Sequence, residues 1–119
     1  MIRAAMIRAL VLCCFALPAF ADPATIEGAT AARSGDGWRI DVTLSHAETG
    51  WDDYADGWRV ETEAGEVLGT RELLHPHPDE QPFTRSLTLD LPGGTGAVWI
   101  RARTSVEGWA DARTRVPLK

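Results

Sequence analysis

Cysteine is nearly absent, and where it falls matters more than how little there is. The 119 residues hold two, Cys13 and Cys14, side by side near the N-terminus. No disulfide can staple the rest of the chain, so aliphatic and tryptophan packing must hold it. Lysine is scarcer still, Lys119 being the single one. Without clustered Lys and Arg, a basic patch for nucleic acid is excluded, and attachment to an anionic membrane surface is disfavoured. No stretch keeps a helical period of about 3.6 between caps, and no internal repeat appears. Catalytic signatures are missing too: there is no G-x-S-x-G, glycine-rich phosphate loop or nucleotide fingerprint. Ser45 and His46 are neighbours that point to opposite faces of a strand, and Ser86 and Ser105 have no evident histidine partner. Paired carboxylates for glycoside hydrolysis need a deep cleft, which a small sandwich rarely offers. No enzyme is expected.

The first 21 residues have the organisation of an export signal. Arg3 and Arg8 are its basic region, residues 9–17 its apolar run, and Ala19-Phe20-Ala21 a small-x-small cleavage site. Cleavage after Ala21 starts the mature chain at Asp22. The apolar run falls short of the about 20 residues that span a bilayer, so no membrane insertion is expected after cleavage. Leu12 disfavours a lipid anchor at Cys13 or Cys14, because anchor sites favour Gly, Ala or Ser there. The signal removes two of the 12 basic residues and none of the 17 acidic ones, leaving a formal charge of −7. An exported chain without a disulfide fits a bacterial periplasm. The 98 residues 22–119 make one domain.

Alternation of apolar and polar residues runs through the mature chain. Trp38, Ile40, Val42 and Leu44 alternate with Arg39, Asp41, Thr43 and Ser45. Trp58 and Val60 alternate with Arg59 and Glu61. Phe83, Leu87, Leu89 and Leu91 share a face opposite Thr84, Ser86, Thr88 and Asp90. Val98, Ile100, Ala102, Thr104 and Val106 alternate with Trp99, Arg101, Arg103 and Ser105. Weaker strands are expected at 25–33, 67–74 and 112–118. About seven short strands with regular turns predict an all-β, immunoglobulin-like antiparallel sandwich, with a barrel as the alternative. Two kinds of connection alternate. Residues 34–37, 63–66 and 92–96 are short and glycine-rich, whereas 46–56, 75–82 and 107–110 are chemically loaded. Successive loops of an antiparallel sandwich fall at opposite ends, so the three loaded loops are expected to share one end.

The stretch from Ile100-Arg101-Ala102-Arg103 to Gly108 resembles the last hairpin of fibronectin type III domains, and Trp38 is similar to their core tryptophan. Val98 and Trp58 stand where such domains usually carry tyrosine. Residues 73–87, with His46, Gly50-Trp51-Asp52 and Tyr54-Ala55-Asp56, also resemble a family of short exported proteobacterial proteins without an assigned function. That resemblance implies a periplasmic all-β domain and no particular reaction or ligand.

His75 and His77 flank Pro76, which favours an extended segment. Residues two apart in an extended chain project to the same side, so two imidazoles are presented together. Zn²⁺ or Cu²⁺ takes such nitrogen ligands, and His46 at the end of its strand is the third candidate. The competing reading makes the prolines strand stoppers and His46 a hydrogen-bonded residue closing the core. Asp52, Asp53 and Asp56 do not match a calcium loop and read as a solvated acidic loop. Trp51, Tyr54 and Trp109 are either ligand contacts or plugs for the open end. Arg85 lies on the apolar face of its strand and needs a carboxylate, with Glu80, Glu72 or an aspartate of 52–56 available. The expected function is a non-catalytic periplasmic module that binds a protein, peptide or glycan through Trp51, Tyr54, His75, His77, Glu80, Arg85 and Trp109. The alternative is a zinc or copper protein using His46, His75 and His77.

Overall fold

The computed structural model describes residues 22–119; the export signal expected at 1–21 lies outside the described residues. Among these there is no helix, and eight strands follow in order. They are β1 (Thr25–Ser34), β2 (Gly37–Ser45), β3 (Ala55–Glu61), β4 (Val67–Glu72), β5 (Phe83–Leu89), β6 (Ala97–Thr104), β7 (Gly108–Trp109) and β8 (Thr114–Pro117). One antiparallel sheet has the order β1-β2-β5, and the other the order β4-β3-β6 with β7 and β8 both paired to β6. The two sheets form the expected β-sandwich. The strand expected at 112–118 is β8, paired to β6 from Ala97 to Ile100, while β7 falls inside the connection expected at 107–110 and adds pairs to Arg103 and Thr104.

Alternation explains the layers. On β2, Ile40, Val42 and Leu44 are buried, while Arg39 is exposed and Asp41 and Thr43 are half-buried. On β6, Val98, Ile100, Ala102 and Thr104 face in. Register then matches the inward rows, since Leu44 opposes Phe83 and Val60 opposes Ile100. Trp58, Phe83, Ile40, Leu44 and Ile100 are the largest fully buried apolar side chains. Burial of each contributes about 1.5–3 kcal/mol. The tryptophan at the centre of this core is Trp58 of β3, not Trp38, which is only partly buried beside it. Arg33 covers the Trp38 ring, its guanidinium carbon 5.1 Å from the centroid.

The short turns gather at one pole. Gly35 (φ 57°) and Gly94 (φ 84°) supply the left-handed backbone there, which other residues adopt only with strain. Leu118 N–H donates to Gly96 O, and Gly37 approaches Leu89 O so closely that a Cβ would lie 2.9 Å from it. That leaves the connections 46–54, 73–82 and 105–107 together at the opposite pole.

Candidate functional site

The loaded pole is tied together by polar groups rather than by strand pairing. The Glu48 carboxylate is fully buried and accepts from Ala55 N (3.0 Å) and from His77 N. Gln81 accepts from His46 N (2.9 Å) and donates to His77 O (3.0 Å). Tyr54 N donates to Ser105 Oγ (3.0 Å), and Ser105 N returns a bond to Tyr54 O (2.9 Å). Leu73 N donates to Asp56 O (3.0 Å). Sequence reasoning missed Glu48 and Gln81. No alternation marks a loop residue whose side chain satisfies the backbone of a second loop.

His46 closes the core. It is 6% exposed, and its Nε2–H donates to the Asp22 carbonyl at 2.9 Å. Its Nδ1 takes no partner and lies 3.9 Å from Glu48 Oε1, while Asp53 Oδ1 lies 3.6 Å from Nε2. His75 and His77 do come together, with ring centroids 4.7 Å apart. His75 is exposed and bonds only its neighbour Pro76 O, at 3.2 Å. His77 is buried and stacked on Phe83, with centroids 4.2 Å apart and planes 18° apart. Neither nitrogen of its ring has a partner. Burial, then the Arg85 and His75 charges, hold the His77 imidazole below its ordinary value. Four of the five buried side-chain atoms without a partner among the described residues belong to His46, Asp53 and His77. Each such atom costs about 1–3 kcal/mol, so this pole carries most of the fold's polar frustration. Among the described residues, no three His, Cys, Asp or Glu side chains are grouped to hold a metal ion. The three histidines share a pole; they do not form one ligand set there.

Arg85 takes Glu80 as its carboxylate, at 2.9 Å. Its guanidinium carbon is 5.5 Å from the Phe83 ring centroid. The pair is not buried, because the Glu80 side chain is 56% exposed. It braces the 75–82 loop as a half-solvated pair, and the Arg85 bond holds the Glu80 carboxyl below its ordinary value. Asp52 is exposed. Asp56 belongs to β3 and accepts from Arg103 Nε at 2.9 Å, so the aspartates of 52–56 have separate surroundings.

The aromatics divide. Trp51 stands in solvent, 66% exposed, with the Tyr54 ring edge-on at 5.6 Å. Trp109 neither plugs the pole nor projects from it. Its pairing with Arg103 lays the indole on the outer face of the larger sheet. There it sits between the Arg59 and Arg103 guanidiniums, 4.0 and 4.8 Å from its centroid. The same face holds Glu61, whose side chain is fully buried. Glu61 accepts from Arg59 Nε (2.6 Å), Arg101 Nε (2.8 Å) and Arg113 Nη1 (3.3 Å). Arg59 and Arg101 are directly opposed across β3 and β6, a repulsive arrangement that the shared carboxylate reverses. Burial pushes Glu61 up, and the Arg101 and Arg59 bonds more than offset it, bringing it down to about 2. Arg59, Glu61, Arg101 and Arg103 all lie on the polar face of the alternation, so strand parity was a signal for this network.

No family model matches the chain, and no solved structure gives a significant match. A protein of Halomicrobium mukohataei named "Putative lipoprotein" is 52% identical over 68 residues, covering 57% of this chain and 33% of that protein. The chain thus spans about one third of the length of that relative. The organism is a halophilic archaeon, not a proteobacterium.

Proposed function

We propose that the protein is a non-catalytic binding module of the cell envelope. Its immunoglobulin-like sandwich presents the pole formed by the connections 46–54, 73–82 and 105–107 to a protein, peptide or glycan. One observation carries this reading. Among the described residues the exposed large apolar side chains are Trp51, Val67, Leu74 and Val106, and three of these four lie in the connections 46–54, 73–82 and 105–107 of one pole. Isolated exposed apolar residues need no explanation, but three on one pole of a small domain support an interaction surface there. Buried polar ties fix the backbone beneath it, which lowers the ordering cost of binding. The immunoglobulin-like assignment gains support from Trp58, a fully buried tryptophan on the third strand, where such domains place theirs.

Export to the envelope accords with the name of the archaeal relative and with the signal read at 1–21. The periplasm is the compartment we assign, with cleavage after Ala21. A photo-crosslinker placed at Leu74 or Val106 in the exported protein tests the binding surface. Discrete adducts from that pole, lost on Trp51→Glu and absent with a crosslinker at Gly94, are expected. Identical adduct patterns from both poles would end the proposal.

A further inference from the structure

The two sheets meet edge to edge where β4 faces β5. At Gly69 the seam is tight, since a Cβ there would lie 3.1 Å from both Leu87 Cδ2 and Leu89 Cδ1. Further along it widens into a cavity of about 100 Å³ lined by Arg71, Leu73, Leu74, His75, His77 and Arg85. Both arginines occupy inward positions on edge strands. Arg71 is in register with Trp58, and Arg85 with Val42, each a buried core residue. The wall therefore combines two guanidiniums and two imidazoles with two leucines, and contains no carboxylate.

The charges in this wall are unevenly answered. Arg85 is neutralised by Glu80, at 2.9 Å. Arg71 donates only to main-chain oxygens, from Nε to Ser86 O (3.0 Å) and from Nη1 to Glu72 O (2.6 Å). Its Nη2 has no acceptor among the described residues, and no carboxylate there pairs with it. Beside it His77 is 6% exposed, with both ring nitrogens unpartnered. Buried polar groups of a native fold almost always find a partner. Here the buried His77 ring lacks a partner for either nitrogen, and beside it Arg71, whose Nη2 is not among the buried atoms, brings one positive charge that no carboxylate answers. Guanidinium donors match the oxygens of a carboxylate. The leucines and the small volume suit a short apolar stem, and the single uncompensated charge suits a monoanion. Two guanidiniums also make the cavity hostile to Zn²⁺ or Cu²⁺.

We propose that the β4–β5 seam is a binding site for a small monocarboxylate, held through Arg71 and His77 and seated on Leu73 and Leu74. Such a group comes either from a free short-chain acid or from the C-terminus of a peptide. The site adds a ligand chemistry to the binding pole of the preceding section and shares its location. A small acid reports on it whether or not a larger partner docks on Trp51.

The test is NMR titration of the protein with isobutyrate, N-acetylalanine, the amides of both, and inorganic phosphate. Saturable shifts at the Arg71 side chain and the His77 ring are expected with the acids, and binding about tenfold weaker with the amides. Arg71→Met should weaken the acids about tenfold, while Arg115→Met leaves them unchanged. Arg71→Lys, which keeps the charge without the fork, should fall between them. The comparison of acid with amide in the unmodified protein stands even if an Arg71 variant does not fold. Tighter binding of isobutyrate than of N-acetylalanine identifies a free acid as the ligand, and the reverse identifies a peptide terminus. Equal response to acid and amide, tighter binding of phosphate, or shifts confined to other surface arginines would overturn the site.

Discussion

Replacing Glu61 by glutamine should be among the most damaging polar substitutions in this domain. The carboxylate is fully buried and receives three guanidiniums at 2.6–3.3 Å. Its carboxyl is lowered from 4.5 to about 2, which converts at about 1.4 kcal/mol per unit to roughly 3 kcal/mol of stability at neutral pH. Arg59, Arg101 and Arg113 keep 20–24% of their side-chain surface in water, and that contact screens part of the attraction. The expected loss is therefore about 2–3 kcal/mol. In a domain of this size it lowers the melting temperature by about 10–20 °C. The folded value lies below the unfolded one, so the stabilisation is complete above pH 4.5 and drains away as pH falls towards about 2. Thermal melts of both proteins by circular dichroism should show a wide gap at pH 7 that closes across this acid range. A gap below about 3 °C at pH 7, where about 10–20 °C is expected, would refute the reasoning. So would a gap that persists unchanged at pH 2.

Other consequences follow from the loaded pole. His77 is held below its ordinary 6.5, so its unfolded form takes up a proton more readily and stability should fall as pH drops below 6.5. His77→Phe, stacked in the same place on Phe83, should melt no lower at pH 7 and lose that part of the acid sensitivity; unaltered sensitivity in melts across pH 7 to 5 would count against it. Trp51→Phe should remove the most iodide-quenchable part of the tryptophan fluorescence, because the ring is 66% exposed, and should leave the melting temperature almost unchanged. Intact mass of the exported protein should correspond to a chain starting at Asp22 without lipid, and a lipid adduct on Cys13 or Cys14 would transfer the relative's name to this chain.

Much of the sandwich was legible because burial of one strand face imposes strict alternation. β2, β3, β5 and β6 follow from it; the antiparallel succession of strands sorts the short connections from 46–54 and 73–82, whereas most of 107–110 lies along β6 as β7. His75 and His77 do lie side by side across Pro76, although the chain bends at His75 and only His77 is buried. What the chain could not disclose were side-chain directions beyond the strands. His46 continues the inward row of β2, but whether its ring turned towards 75–77 or the N-terminal segment depended on Asp22, which no periodicity marks. The sequence places Trp109 in a loop, yet two residues of pairing with β6 suffice to lay its ring on the sheet between two arginines. The Glu61 network was present in the parity of Arg59, Glu61, Arg101 and Arg103. It went unread because a polar face is ordinarily assumed to be solvated, whereas here Trp109 and the arginine stems cover it.

The domain is proposed to act through the pole that carries Trp51, Leu74 and Val106. Crosslinking in the living envelope from each of these positions, set against Gly94 at the other pole, tests it most directly. One shared adduct from all three and none from Gly94 is expected, with loss of that adduct when Trp51 is changed to Glu in a protein that melts normally. Equal capture from both poles, or an adduct indifferent to Trp51→Glu, would contradict it.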